Sequence, residues 1–314
     1  MTGLSIEKLT GHRSIQDLGR PGKQHLGFSA GGAADEYGFL SANQLVGNEA
    51  NMAAIEIMLG QVSFKALSDC KIALTGADCL AELNGQALKH WQLHALRAGD
   101  VLTLKQPSSG IYTYLAVTGG IDSQSWLGSR SQTLNEQALG FGQPALQAGS
   151  IIPLTSQCFP DSVAEPPTIH SASAPEAFYQ HPKLTLRFMP RSNWYAMTTK
   201  KQQDFLGQQY SISADSNRMG YRLQGQPISL SLEEKQGLSK PVCFGTIQLP
   251  DNGCPIVLMK ERQTIGGYPT LGTVMQTDLF RLCQMRPGEK VAFTPISVEQ
   301  AQGQLLSFYR RFSL

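Results

Sequence analysis

Apolar and polar residues alternate in short runs along most of the chain, and period-two runs bounded by turn formers predict strands. Ile55, Ile57 and Leu59 alternate with Glu56 and Met58, and Gly60-Gln61 then precedes Val62 and Phe64, which predicts a hairpin. Asn84-Gly85 separates Ala81-Glu82-Leu83 from Gln86-Ala87-Leu88; both central residues tolerate positive φ, so a two-residue hairpin turn is expected there. Ile111 to Val117 reads as a strand stopped by Gly119-Gly120, with further strands expected at 184–189, 255–259 and 291–293. Helical spacing is rarer. Residues 35–46 predict a helix with Asp35 as N-cap, Phe39, Leu40, Leu45 and Val46 buried, and Gly47-Asn48 as the stop. Others are expected at 196–207 and 277–284. The last begins after Ser297, where Gln300 completes a capping box, and is expected to bury Ala301, Leu305 and Leu306.

One phrase recurs. LRAGDVLTL (96–104) is echoed by LQAGSIIPL (146–154) and MRPGEKVAF (285–293), each a glycine turn feeding a strand. Such an echo expresses either two related halves or the chance repetition of turn-then-strand phrases in a β-rich chain. Between the halves, residues 156–183 carry Pro160, Pro166, Pro167, Pro175 and Pro182, which predicts an extended connector. Two subdomains follow, 1–155 and 184–314, with exchange of strands between them left open. The predicted class is mainly β, one or two barrels with a few peripheral helices, and not an alternating βαβ sheet.

Composition narrows the function classes. The 314 residues hold 26 Lys+Arg against 24 Asp+Glu, a net charge of +2, which lacks the basic surplus of a nucleic-acid binder. With 41% hydrophobic and 16% charged residues a folded chain is expected. No apolar run approaches the roughly 18 residues of a membrane span. Met1 to Glu7 has neither a basic nor an apolar leader segment, so a cytoplasmic location without nucleic-acid or membrane partners is expected. The six cysteines contain no CxxC pair and read as structural thiols, and no metal site is expected.

Three polar clusters carry candidate chemistry. The first runs from Gln16-Asp17-Leu18-Gly19-Arg20-Pro21-Gly22 through the glycine-rich stretch ending at Asp35; backbone N–H groups before a helix hold anions, although an Asp35 cap would occupy those donors. The second, Ser213 to Arg222, gathers Asp215, Arg218, Tyr221 and Arg222, enough for bidentate recognition of a carboxylate. The third is Arg262-Gln263-Thr264-Ile265-Gly266-Gly267-Tyr268-Pro269, where an apolar run delivers donors into a Gly-Gly turn that admits a ligand closely. His90 and His94 lack a carboxylate to complete a metal site, and Met259-Lys260 is followed by Glu261 instead of a biotinyl-lysine context.

Read in order, QDLGRPG (16–22), the stretch ending at Asp35, LVGN (45–48), LTGAD (74–78), VTGGID (117–122), LGSRS (127–131), SNRMGYRL (216–223) and RQTIGGYP (262–269) form a series. The series resembles the KipI-antagonist (KipA) family, also called allophanate hydrolase subunit 2 and, in bacteria, the C subunit of 5-oxoprolinase. Ser29-Ala30-Gly31-Gly32 and Ile265 depart from the commoner family pattern. The resemblance implies two cyclophilin-like β-barrel subdomains. It implies two partners of KipI type and LamB/YcsF type, the B and A subunits of 5-oxoprolinase, and an ATP-dependent opening of a lactam. Relatives fused into urea carboxylase transfer CO2 from carboxybiotin to a urea-like amide, so biotin enters only under that alternative. A regulatory role, sequestering a KipI-type protein, is the third. ATP, with Mg2+, is expected on this chain, on a partner or at their interface.

Either chemistry needs donors fixed around an amide. Arg218 or Arg222 is the candidate for a substrate carboxylate, and Arg262 for a developing oxyanion or a transferred phosphoryl group. Gln263 and Thr264 are expected to orient the substrate, Gly266 and Gly267 to admit it, and Asp35 or Asp215 to accept a proton. Arg20, Tyr221 and Tyr268 complete the candidate substrate-binding set.

Overall fold

The computed structural model describes residues 2–155, 178–179, 183–231, 234 and 239–314; the expected connector, apart from 178–179 and 183, lies outside the described residues. The fold is mainly β and divides into two compact units. The first comprises Met1–Arg20, Gly31–Glu176 and Phe312–Leu314, the second Pro21–Ala30 and Ala177–Arg311.

In the first unit the strands are β1 (Gly3–Leu9), β2 (His12–Gln16), β3 (Ala54–Met58), β4 (Val62–Ala66), β5 (Cys70–Gly76), β6 (Glu82–Leu83), β7 (Gln86–Ala87), β8 (Leu93–Leu96), β9 (Val101–Leu104), β10 (Tyr112–Val117) and β11 (Ile151–Pro153). They form a six-stranded sheet, β11-β1-β4-β9-β6-β7, and a five-stranded sheet, β2-β3-β10-β5-β8. Leu4, Ile6, Phe64 and Leu102 from one sheet and Ile55, Ile72, Leu74 and Leu115 from the other share a single core. Strand β10 is buried along its whole length, because helix Glu36–Leu45 packs on its second face, Phe39 edge-to-face on Tyr114 at 6.2 Å. A strand covered on both faces has no reason to alternate, which accounts for the run YTYLAV. Asp35 caps that helix as expected, its carboxylate accepting from the Gly38 N–H at 3.2 Å.

The Asn84-Gly85 hairpin is present, with φ of 50° and 80° at the two turn residues. The hairpin expected at 59–61 is not. Strand β3 pairs with β2 and β10, whereas β4 pairs with β1 and β9, so the chain crosses there from one sheet to the other. Thr10-Gly11, between β1 and β2, makes a matching crossing. The two corners touch: Thr10 N–H donates to the Gln61 carbonyl at 2.7 Å and Gln61 N–H to Thr10 Oγ1 at 2.9 Å. Gly11 and Gly60 stand at φ of 75° and 92°, and a Cβ on either would strike the carbonyl of the facing corner. Alternation alone cannot distinguish a corner between sheets from a turn within one.

The recurring phrase is one structural device used three times. Gly99, Gly149 and Gly288 have φ of 94°, 83° and 88°. Their N–H groups donate to the carbonyls of Ala66, Ile6 and Ile212, each at 2.8 Å. Those three residues return N–H bonds to the carbonyls of Asp100, Ser150 and Glu289, each at 2.9 Å. The side chain after each glycine closes the turn, Asp100 accepting from Arg97 N–H, Ser150 from Gln147 N–H and Glu289 from Arg286 N–H.

In the second unit the strands are β12 (Leu184–Pro190), β13 (Tyr210–Ile212), β14 (Gly220–Gln224), β15 (Lys240–Pro241), β16 (Thr246–Gln248), β17 (Ile256–Leu258), β18 (Ile265–Gly266), β19 (Thr270–Val274) and β20 (Lys290–Pro295). Seven of them close a barrel in the order β12-β19-β16-β17-β14-β13-β20, and β15 pairs with β18 alone. Phe188, Phe205, Tyr210 and Phe293 form an aromatic cluster, with Phe205 and Phe293 centroids 4.8 Å apart. In place of one helix at 196–207 there are two, Ser192–Ala196 and Thr199–Leu206, because Thr198 turns extended and caps the second by accepting from Lys201 N–H. The helix expected at 277–284 spans Gln276–Leu282. Helix Val298–Arg310 has both limbs of the Ser297–Gln300 capping box. Its buried stripe is Ala301 and Phe308, seven residues and nearly two turns apart, which leaves Leu306 59% exposed instead of buried.

Two glycine substitutions test these backbone constraints in urea unfolding. Gly60→Val is expected to destabilise the chain by at least ~1–2 kcal/mol, through positive φ and the collision with the Thr10 corner. Gly303→Ala, in an exposed helical position with open space around it, is expected to stabilise by about 0.5–1 kcal/mol.

Candidate functional site

Register and period two build the site on the outside of the barrel. Tyr221 and Val257 are direct partners on β14 and β17, and Ile247 joins them from β16; all three are buried in the interior. Their sequence neighbours therefore face outward. Arg222 lies opposite Ile256, which lies opposite Gln248, giving one outward row across three strands. At roughly 4.8 Å per strand the first and last Cα atoms are about 10 Å apart. Gly220 and Leu258 form the adjacent row.

On this face sits a cleft of about 420 Å3 lined by Asn217, Met219, Gly220, Arg222, Gln248, Pro250, Asp251, Asn252, Ile256, Leu258, Gln263 and Tyr268. It is a small polar site with one guanidinium, one carboxylate and four side-chain amides over an aliphatic floor. Gln263 Nε2 donates to Gln248 Oε1 at 3.4 Å, joining the 262–269 loop to the barrel wall. The loop's other edge is held by the β15–β18 ladder, where Lys240 pairs with Gly266, and by Val242 N–H donating to the Thr264 carbonyl at 3.1 Å.

The candidate residues take distinct places. Arg222, Gln263 and Tyr268 come together in the cleft. Thr264 and Gly266 belong to the loop and ladder beside it, and Gly267 is exposed next to Ser239. Tyr221 points into the barrel, its hydroxyl donating to the Cys283 carbonyl at 2.7 Å. Arg218 is buried and its Nε meets Glu261 Oε1 at 2.5 Å, with both side chains 3% exposed. Arg262 is buried too, donating from Nη1 to the Met259 carbonyl at 3.3 Å; loss of hydration holds its guanidinium below the ordinary arginine value. Asp215 is exposed in the turn before β14 and accepts weakly from Ser213 Oγ at 3.4 Å.

Asp35 and Arg20 belong to the first unit. The Asp35 N–H donates to the Tyr114 hydroxyl at 2.8 Å, and that hydroxyl donates to Glu56 Oε2 at 2.8 Å, all three residues being buried. Arg20 donates to the Ser131 carbonyl and lies 5.0 Å over the Trp126 ring. Next to it, Asp17 accepts from Ser129 Oγ and Ser131 Oγ, each at 2.6 Å, and from the N–H groups of Gly19 and Arg130. QDLGRPG and LGSRS thus meet in one buried network, which ties loops together.

Sequence reasoning missed Gln248, Asp251 and Asn252. Gln248 had a signal: in Thr246-Ile247-Gln248-Leu249 the polar Thr246 and Gln248 alternate with the buried Ile247 and Leu249. Among the described residues no cluster of three or more His, Cys, Asp or Glu is disposed to hold a metal, and no helix is long and apolar enough to cross a membrane. His90 packs against Cys79, its Nε2 3.3 Å from the sulfur, and, against the expectation of no nearby carboxylate, Asp78 Oδ1 lies 3.6 Å from the same nitrogen; burial pushes the thiol up to about 12.

A mainly-β chain with a closed barrel is a fold that a solved structure shares. The chain belongs to the family described as carboxyltransferase domain, subdomain A and B, which matches residues 26–295. It is homologous to the 5-oxoprolinase C subunit of Escherichia coli (strain K12), 35% identical over 95% of this chain and 93% of that protein. It is also homologous to the urea amidolyase of Saccharomyces cerevisiae, 26% identical over 96% of this chain but only 17% of that much longer protein. The crystal structure of the K. lactis urea amidolyase shares the fold, with a TM-score of 0.85 at 21% identity, over 99% of this chain and 20% of that one.

Unfolding experiments separate the structural arginines from the cleft arginine. Removing one partner of the buried pair, in Glu261→Ala or Arg218→Ala, is expected to cost about 3–5 kcal/mol and to show as a lower thermal midpoint. Arg222→Ala, on the exposed face, is expected to stay within about 0.5 kcal/mol of wild type.

Proposed function

We propose that the chain is the C subunit of an ATP-dependent 5-oxoprolinase, opening the lactam of 5-oxoproline to L-glutamate in complex with KipI-type and LamB/YcsF-type partners. The observation that carries this reading is the near full-length likeness to the E. coli protein, 35% identical over 93% of its length. The cleft supports it. 5-Oxoproline is a small planar amide bearing one carboxylate, and the cleft offers one guanidinium among side-chain amides. Arg222 is the arginine for the carboxylate, since its neighbour Arg218 is engaged by Glu261. Gln263 orients the amide, and Tyr268 closes one side of the cleft. Arg218 and Arg262 act as positioning residues through the loop they support; Asp215, exposed in the turn before β14, lies outside the cleft lining, and the carboxylate placed to accept a proton there is Asp251.

The cleft does not fit a magnesium triphosphate, whose charge calls for several cations where Arg222 is one. ATP and Mg2+ are therefore placed outside this cleft, elsewhere on this chain, on a partner or at a shared interface. A second reading, biotin-dependent carboxyl transfer to a urea-like amide, is favoured by the urea amidolyase relative.

The test mixes this chain with the two partner proteins and follows ATP-dependent release of glutamate from 5-oxoproline. Glutamate formation that stops when this chain is omitted is the expected result, and Arg222→Ala should raise the KM for 5-oxoproline at least tenfold. Formation that continues without the chain overturns the reading. Carboxylation of urea from a carboxylated biotin carrier, with no glutamate, supports the second.

A further inference from the structure

Gln248 is the most deeply placed polar group of the cleft. Its residue is 1% exposed, yet it stands on the outward row between Ile256 and Thr270 of the neighbouring strands. Its Oε1 is satisfied by Gln263, while its Nε2 has no hydrogen-bond partner among the described residues. A buried amide donor left unpaired is costly, and such a donor in a ligand-sized cleft calls for an acceptor. Directly over it lies Gly266, where a Cβ would collide with Nε2. Gly266 belongs to the β15–β18 ladder, only two residue pairs long, whose other three members, Lys240, Pro241 and Ile265, are exposed. Among the described residues that exposure makes it the part of the wall that yields at least cost.

We infer that Gln248 Nε2 is the donor that receives the carbonyl oxygen of a small amide or lactam, admitted when the β15–β18 ladder shifts away from it. Resting on the proposed lactam chemistry, this divides the ligand between two ends of one row, carboxylate at Arg222 and carbonyl at Gln248. The spacing of about 10 Å between their backbones leaves room for a five-membered ring held by two side chains reaching inward. No amide hydrogen is transferred by Gln248; it positions the carbonyl and stabilises charge drawn onto its oxygen.

Calorimetric titration of the full chain, alone and in the assembled complex, with three probes tests this: 5-oxoproline, 2-pyrrolidinone (carbonyl, no carboxylate) and proline (carboxylate, no carbonyl). Gln248→Leu is expected to weaken 5-oxoproline and 2-pyrrolidinone at least tenfold and to leave proline unchanged. Arg222→Ala should weaken 5-oxoproline and proline and spare 2-pyrrolidinone. Gly266→Ala, which keeps the donor but crowds it, should reproduce the Gln248→Leu pattern and serves where that variant fails to fold. Wild-type lactam affinity in folded Gln248→Leu and Gly266→Ala, a parallel loss of proline, or no lactam binding by wild type overturns the inference. Gln248-dependent lactam binding without glutamate formation would instead leave the inference standing and remove the 5-oxoprolinase reading. Glutamate formation by Gln248→Leu at the wild-type KM would do the reverse.

Discussion

The buried ion pair between Arg218 and Glu261 is the interaction on which the candidate site depends. It joins the turn entering β14 to the segment leaving β17, and two backbone bonds run beside it: Glu261 N–H to the Arg218 carbonyl at 2.8 Å and Met259 N–H to the Met219 carbonyl at 2.9 Å. Those two segments lead into the cleft lining, one to Asn217 and Met219 and the other to Gln263. A pair desolvated this thoroughly repays its burial only when the geometry is fixed, so it specifies one arrangement of the two segments more than it adds stability. The exposed Arg222 then has a rigid counterpart to work against, and a ligand held between them loses little to motion of the frame.

The barrel and the sheet pair solve the same closure problem by different means. In the first unit the chain leaves one sheet for the other at paired corners, and the corners can touch only because Gly11 and Gly60 have no side chain. The three-fold use of the glycine turn, before β9, β11 and β20, shows the more economical solution. One phrase supplies a positive-φ residue, a side-chain lock on the turn and a two-way backbone bond to a distant strand. Because the device recurs with the same bonds in both units, the sequence echo marks a shared local structure.

What was legible in the sequence follows from which forces are local. Helix caps and hairpin turns depend on a few consecutive residues, so Asp35, the Ser297–Gln300 box and Asn84-Gly85 could be read directly. The sheet crossing at 59–61 could not, since it is fixed by a partner corner 51 positions away, from Gln61 to Thr10. Hydrophobicity puts Leu305 and Leu306 in the buried stripe, but helical phase puts Phe308 there and leaves Leu305 half-buried and Leu306 exposed.

The site followed the same rule. Loops rich in arginine, glycine and aromatic residues drew notice as motifs, yet two of their arginines, Arg218 and Arg262, are buried and sit outside the cleft lining. Charge in a motif marks either ligand recognition or loop architecture, and composition does not separate the two. Burial and partners do: Arg218 has a carboxylate, and Arg222 has solvent. Gln248 inverts the case, being neutral, lying in no glycine-rich motif, and becoming conspicuous only when register sets it beside Ile256 with an unpaired donor under Gly266. A binding group carried by a strand takes its direction from the ladder, so such a residue is recognised by parity against its buried neighbours and not by the company it keeps in sequence.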